Sequence, residues 1–252
     1  MFDRAASYYD RTRTLSGPMR RRTTELLGGE LRDRGPCLEI GVGTGRIALP
    51  LHDAGIAMAG VDLSPLMLGK LVEHAGGRAP FPLAVADATR LPFPDGQFGG
   101  GLVCHVLHLI PPWGEVLDEL IRVIRADGVV LVDPGGWGRG WWREVQERFC
   151  AEAGIPSAFP GLNDAEELDA AMADRRAGLR LLKPVEHRTH ATIEERLRHL
   201  EEGLFSFTWS VDDETRTQAA RATRKWAERT FGSLTERRRT GGTVQWRAYD
   251  LP

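Results

Sequence analysis

Three glycines alternate within Glu39-Ile40-Gly41-Val42-Gly43-Thr44-Gly45, at the junction of an apolar run and an amphipathic one. Missing side chains there permit a tight turn and bring a ligand close to backbone N–H groups and to the amino terminus of the following helix. Any adenosine-containing cofactor could use such a surface. A dinucleotide fingerprint needs G-x-G-x-x-G, whereas the third glycine here arrives one residue early and Arg46 stands in its place. That argues against a nicotinamide or flavin. Asp62 lies downstream of the glycines at roughly the 20-residue separation of the ribose-binding acid in Rossmann folds. A carboxylate only accepts hydrogen bonds, which suits two neighbouring ribose hydroxyls. Asp87, His105 and Asp133 are further polar residues that close apolar runs.

The elements that must position these residues follow from the alternation of short apolar runs with longer amphipathic ones, the pattern of an α/β chain with a mostly parallel sheet. Strands are expected at Cys37–Ile40, Ala57–Val61, Leu83–Ala86, Gly101–Cys104 and Val129–Asp133, with a helix over Ile47–Ala54 and another opened by Ser64 as N-cap and Pro65 at the first helical position. In open α/β sheets ligands bind outside the carboxyl ends of the strands, so Asp62, Asp87, His105 and Asp133 should share one rim. After Asp133 comes the glycine- and tryptophan-rich stretch Pro134–Trp142. Helical runs are expected near Glu144–Ala153, Asp164–Arg176, Ile193–Leu204 and Asp213–Phe231, and strands at Leu179–His187 and Thr243–Tyr249. The expected organisation is an N-terminal helical segment over 1–34, then a domain over 35–252 with helical cap insertions near 138–176 and 190–232.

At this point a resemblance becomes specific. Leu38–Gly45 resembles the first motif, E/D-x-G-x-G-x-G, of class I S-adenosylmethionine-dependent methyltransferases. Asp62, in Gly60-Val61-Asp62-Leu63-Ser64-Pro65-Leu66-Met67, matches the acid that ends that family's second strand. Asp87-Ala88 resembles the third motif, which meets the adenine amino edge, and Pro94–Phe98 the turn into the fourth strand. The likeness covers roughly residues 2–133, including the Phe2-Asp3 to Tyr8-Tyr9-Asp10 opening, and is similar to small-molecule members of the quinone-biosynthesis type. It implies a Rossmann-like seven-stranded, mostly parallel sheet flanked by helices, with a last antiparallel strand and a helical cap. It also implies S-adenosyl-L-methionine as cofactor, contacted by Glu39, Gly41, Gly43, Gly45, Asp62, Leu63, Asp87, Ala88 and His105. Met67 resembles the apolar residue on the adenine face; an ordinary sheet-facing helix residue is the equal alternative.

Catalytic candidates are His105, His108 and Tyr9, since a hydroxyl acceptor benefits from a base or from a phenol that holds it, and histidine titrates near neutral pH. Arg11 and Arg13 could pair with the cofactor carboxylate. Ile110-Pro111-Pro112-Trp113 imitates the signature of amino methyltransferases acting on adenine or cytosine, but Ile110 cannot accept the hydrogen bond that the first position requires, so it reads as a loop and helix start. Tyr8, Tyr9, Trp137, Trp141, Trp142, Phe205, Phe207 and Trp209 would, if they converge, form a water-poor cap suited to an aromatic, hydrophobic or cationic small molecule, or else fix the cap to the domain.

With 252 residues, 42% hydrophobic, the chain can bury one large core, and a formal net charge of -2 supplies no general attraction to nucleic acid or an anionic membrane. Cys37, Cys104 and Cys150 read as packed thiols, and no metal site is expected. Met1-Phe2-Asp3-Arg4 does not open a secretory pattern, and no apolar run is long enough to span a bilayer, so a cytoplasmic monomer or homodimer is expected. The functional expectation is methyl transfer to the O, N or C atom of a small organic acceptor. The alternative is a cofactor-binding protein of the same fold without methyl transfer, with a nucleotide-dependent dehydrogenase third.

Overall fold

The computed structural model describes residues 2–13, 15–135, 138–186 and 189–252. The run Cys37–Ile40 forms β1, buried along its whole length. It is paired in parallel with β2 (Met58–Asp62) and β4 (Phe98–Cys104), so that Ile40 stands opposite Val61 on one side and Val103 on the other. Beyond them β3 (Leu83–Val85) joins β2 and β5 (Ile124–Asp133) joins β4, both in parallel. Last, β7 (Arg247–Asp250) runs antiparallel between β5 and β6 (Gly178–Leu181). The sheet order is β3-β2-β1-β4-β5-β7-β6. The order reverses between β1 and β4, which is where a ligand crevice opens in such sheets.

The N-terminal segment holds a 3-10 turn (Phe2–Ala5) and the short α1 (Tyr9–Arg13). α2 (Gly17–Leu31), α3 (Ala48–Asp53) and α4 (Pro65–His74) cover one sheet face through Leu27, Leu31, Leu51, Leu68 and Leu71. α5 (Trp113–Val123) covers the other through Val116, Leu117 and Leu120. Each α4 start signal is satisfied: Ser64 caps Met67 N–H at 3.2 Å and Pro65 sits in the first turn. Three consecutive glycines in β4 let both helix layers close on the sheet. A β-carbon at Gly99 would collide with the Arg34 carbonyl, at Gly100 it would lie 2.7 Å from Leu31, and at Gly101 3.1 Å from Leu120.

The chain forms two compact units, one of residues 1–135, 160–185 and 244–252, the other of residues 136–159 and 186–243. The second has its own core, where α6 (Trp141–Ala153), α8 (Ile193–Glu201) and α9 (Asp213–Phe231) bring together Trp142, Phe149, Leu197, Leu200, Phe205 and Ala220. The expected insertion near 138–176 is therefore divided. Its second half, α7 (Ala165–Asp174), places Leu168 and Met172 in the core of the sheet-bearing unit. Likewise α2, expected within an N-terminal cap, buries Leu27 and Leu31 against the sheet layer.

Several boundaries differ from expectation for local reasons. β4 begins at Phe98, three residues early, because glycines give no strand signal of their own. β5 begins at Ile124, its exposed start Arg125-Ala126-Asp127 containing Asp127 at a positive φ of 62°. The run expected at Leu179–His187 splits into Gly178–Leu181 and Val185–Glu186, with His187 outside the described residues, and Thr243–Tyr249 splits into Thr243–Val244 and β7. Among the described residues no helix is long and apolar enough to cross a membrane.

Candidate active site

The glycine turn leaves the carboxyl end of β1 with Gly41, Gly43 and Gly45 at φ of 63°, 54° and 82°. Space demands glycine at the outer two: a β-carbon on Gly41 would strike Val106, and on Gly45 it would lie 2.7 Å from Leu49 and 2.9 Å from Leu71. Gly43 differs, because its nearest neighbours would be Gly41 O and Met67 Cε, both at 3.9 Å, so the demand there is backbone conformation alone.

Asp62 ends β2 directly beside this turn. One carboxylate oxygen accepts Gly43 N–H and the other Ser64 N–H, each at 2.9 Å. The carboxylate thus ties the turn to the start of α4 and keeps lone pairs for further donors. Burial pushes its pKa up, and the two backbone N–H groups oppose that shift. Next to it, Leu63 is 68% exposed, and Val85, which pairs with Asp62 across β2 and β3, is 58% exposed. Val85 lacked a functional signal in the sequence. Met67 is buried under the turn rather than presented to solvent. Asp87 is exposed, and its Oδ1 accepts the N–H and the hydroxyl of Thr89, both at 2.9 Å. Ala88 is buried in the core.

Glu39, on β1, is 2% exposed. One carboxyl oxygen accepts Ala48 N–H, while Oε2 is buried and has no hydrogen-bond partner. Burial raises its pKa to about 8, with the Arg46 cation opposing the rise. Arg46 donates to the Arg13 carbonyl and to Cys104 Sγ, each at 3.3 Å. Burial lowers the Arg13 pKa, with Arg46 nearby adding to that effect and Tyr9 opposing it. Among the described residues neither Arg13 nor Arg46 has a carboxylate within ion-pair distance. Two guanidinium groups and one orphaned carboxyl oxygen therefore meet near the turn.

The N-terminal segment reaches this region at three points. Asp3 accepts the Ser64 hydroxyl at 2.5 Å, and Asp10 accepts that of Thr44 at 2.7 Å. His74 Nε2 lies 3.5 Å from Asp10. Tyr9, also on α1, lies close enough to Arg13 and Arg46 to influence both electrostatically. The side chain of Arg11 lies outside the described residues.

The two candidate histidines have different surroundings. His105, just past β4, has φ of 58° and bonds Asp133 Oδ2 through Nε2 at 3.0 Å. His108 is 6% exposed in the 3-10 turn Leu107–Leu109, hydrogen-bonded to the Pro134 backbone. Burial and the neighbouring His105 push its pKa down to about 3, so it is neutral at physiological pH. Asp133, at the end of β5 and opposite Cys104 in register, is the residue to which sequence reasoning gave a place on the rim but no role. The rule that polar strand ends face the crevice was the signal for it. Cys104, His105 and Asp133 place their ligand atoms within 4.8 Å of one another. The Arg46 guanidinium on Cys104 already brings positive charge there, and burial holds the thiol protonated, which disfavours a metal ion. All three cysteines are free and buried.

The tryptophans and phenylalanines of the second unit pack on one another. Trp142 and Phe205 have ring centroids 5.3 Å apart, Phe205 and Phe207 5.8 Å, and Trp209 donates to the Gly203 carbonyl at 3.1 Å. Trp137 lies outside the described residues.

Residues 38–132 match a family model described as a methyltransferase domain. Demethylmenaquinone methyltransferase of Beutenbergia cavernae is 34% identical over 137 residues, covering 52% of this chain and 55% of that protein. The chain spans about half the length of the first curated relatives it matches. Among solved structures, the YcgJ protein of Bacillus subtilis aligns with a TM-score of 0.63 at 15% identity, over 92% of this chain and 99% of that one. Haemonchus contortus phosphoethanolamine N-methyltransferase 2, solved with phosphomonomethylethanolamine and S-adenosylhomocysteine, aligns with a TM-score of 0.56 at 17% identity, over 92% of this chain and 52% of that one. These structural likenesses establish the fold. Residues 38–132 are accordingly similar to a methyltransferase domain, and the chain shares the Rossmann-like fold of these structures.

Proposed function

We propose that the chain binds S-adenosylmethionine and transfers its methyl group to the O, N or C atom of a small organic acceptor. The observation that carries this reading is the Asp62 carboxylate locked between the glycine turn and α4 at the reversal of strand order, with a buried, half-satisfied Glu39 beside it. A ligand with a ribose, a cationic centre and an amino-acid end fits these residues one by one. Asp62 has lone pairs left for ribose hydroxyls, Leu63 and Val85 offer apolar surface to adenine, and Asp87 and the Ala88 backbone lie along the same rim. The unpartnered Glu39 Oε2 suits an ammonium group, and Arg13 suits a carboxylate.

The bound cofactor would supply an already activated methyl group on a sulfonium. What the protein must add is alignment and exclusion of water, without a covalent nucleophile. The positive-φ glycines bring backbone against the ligand, and Asp3, Asp10 and Arg46 fasten the N-terminal segment to the turn and to α4. The test is incubation with S-adenosylmethionine and a metabolite extract, with S-adenosylhomocysteine followed by mass spectrometry. Methyl transfer predicts extract-dependent S-adenosylhomocysteine together with a product heavier by one methylene. Saturable donor binding without product would favour the non-methylating alternative.

A further inference from the structure

Three residues at the ends of β4 and β5 make an arrangement that binding a methyl donor does not require. His105 is one of four described non-glycine residues with positive φ, and the only one of them at the rim of the sheet. It is held there from several sides. Its N–H donates to the Asp133 carbonyl at 2.9 Å, and its ring Nε2 meets Asp133 Oδ2 at 3.0 Å. Asp133 Oδ1 accepts Gly135 N–H at 3.1 Å. Gly135, at φ of 68°, lies so close to the imidazole that a β-carbon there would stand 2.9 Å from Cγ and 3.3 Å from Nδ1. A strained backbone fixed this firmly is the kind of feature from which a functional role is inferred.

We propose that Asp133 holds His105 with its proton on Nε2 and that His105 Nδ1 is the base for a hydroxyl acceptor, a proposal that rests on the methyl-transfer reading above. Asp133 stays ionised, because His105 and the Gly135 N–H outweigh the cost of its burial. An ionised carboxylate accepts only, so in the neutral imidazole the proton sits on Nε2 and the lone pair on Nδ1. Nδ1 takes no hydrogen bond from any described residue, yet it is not among the buried unpartnered atoms, so it is open to a ligand. The other charged or titratable groups around the dyad are Arg46 on the turn, Cys104 on β4, His108 in the following 3-10 turn and Arg13 on α1. None of them replaces it. His108 is protonated only near pH 3, burial holds the Cys104 thiol protonated, and the two arginines are cations.

In the step assigned, the acceptor O–H proton passes to Nδ1 as the oxygen forms its bond to the methyl carbon. The carbon–sulfur bond breaks with its electron pair going to sulfur. A methyl ether and S-adenosylhomocysteine result, and the imidazolium, paired with Asp133, returns its proton to solvent. The substrate class is therefore an alcohol, phenol or enol, which must lose a proton, rather than a free amine, which need not lose it before attack.

The test uses the full chain saturated with S-adenosylhomocysteine and 4-nitrophenol as a hydroxyl probe, read by the phenolate absorption band below the pH at which the free probe titrates. The dyad predicts that bound probe has an ionised-to-neutral ratio about tenfold above that of free probe, a shift of about one pKa unit. His105→Gln should return the ratio to that of free probe, and Asp133→Asn should lower it, each variant being kept saturated with S-adenosylhomocysteine at its own calorimetrically measured affinity. An unshifted spectrum, no saturable binding of the probe, or an equal shift in His105→Gln overturns the proposal. Loss of S-adenosylhomocysteine binding by the wild-type chain would instead overturn the methyl-transfer reading beneath it.

Discussion

A buried carboxyl group with one unpartnered oxygen stays protonated until a cation arrives, and this governs the behaviour of Glu39. Its folded-state pKa, about 8, is above its ordinary 4.5. The unfolded chain therefore releases this proton first as pH rises. The contribution to stability is fully present below about pH 4.5 and is lost as pH climbs toward 8, at no more than about 1.4 kcal/mol per pH unit. Urea unfolding of the ligand-free chain at mildly acidic and mildly alkaline pH should show wild type losing more stability than Glu39→Gln across that interval. Identical pH dependence would show that Glu39 ionises in the folded state as readily as in water. His108 behaves in the opposite sense. With a folded pKa of about 3 it favours folding above its ordinary 6.5, and that support is lost as pH falls through the interval between the two values. His108→Asn should flatten the acid side of the stability profile.

At the scale of elements, β1, its glycine turn and α4 were legible because the signals were local. Four buried residues end at glycines, and Ser64 with Pro65 marks a helix start. The first half of β4 was not legible, since Gly99, Gly100 and Gly101 acquire meaning only from Arg34, Leu31 and Leu120, distant in sequence. That dependence is testable. Gly99→Ala puts a methyl group into the Arg34 carbonyl and should cost about 1–3 kcal/mol or more in denaturant unfolding, since backbone rather than a flexible side chain must yield. A neutral effect would mean that the strand and the α2–β1 connection are less closely packed than described. The same distinction applies at the site. Glu39, Asp62 and the glycines were readable from spacing, whereas the His105–Asp133 pair needed the parallel β4–β5 register that sets Cys104 against Asp133. The strand-end position already set His105 on the rim, whereas the burial of His108 is visible only in the packing.

The whole molecule combines a sheet-bearing unit, which contains every cofactor-contact candidate, with a second unit whose aromatic residues form its own core. The tryptophan-rich stretch looked like a binding surface in sequence because clustered aromatics look the same whether they face a ligand or one another. In the structure Trp142 and Phe205 are mostly buried against neighbours of their own unit. A ligand that binds only the folded chain stabilises it by mass action, about 2.7 kcal/mol at a hundredfold excess over Kd. S-adenosylhomocysteine at that excess should raise the melting temperature by roughly 5–10 °C for a chain of this size. NADH at the same concentration should leave it unchanged, and a larger shift with NADH would revive the dehydrogenase reading.

The most direct measurement is a calorimetric titration of S-adenosylmethionine into wild-type protein and Asp62→Ala. Asp62 joins the glycine turn to α4 and keeps acceptor capacity for two hydroxyls. Saturable 1:1 binding to wild type is expected, with affinity at least about tenfold weaker in the variant, equivalent to about 1.4 kcal/mol of lost hydrogen bonding to a charged group. No binding to wild type, or equal affinity in the two proteins, would contradict a methyl-donor site at this turn.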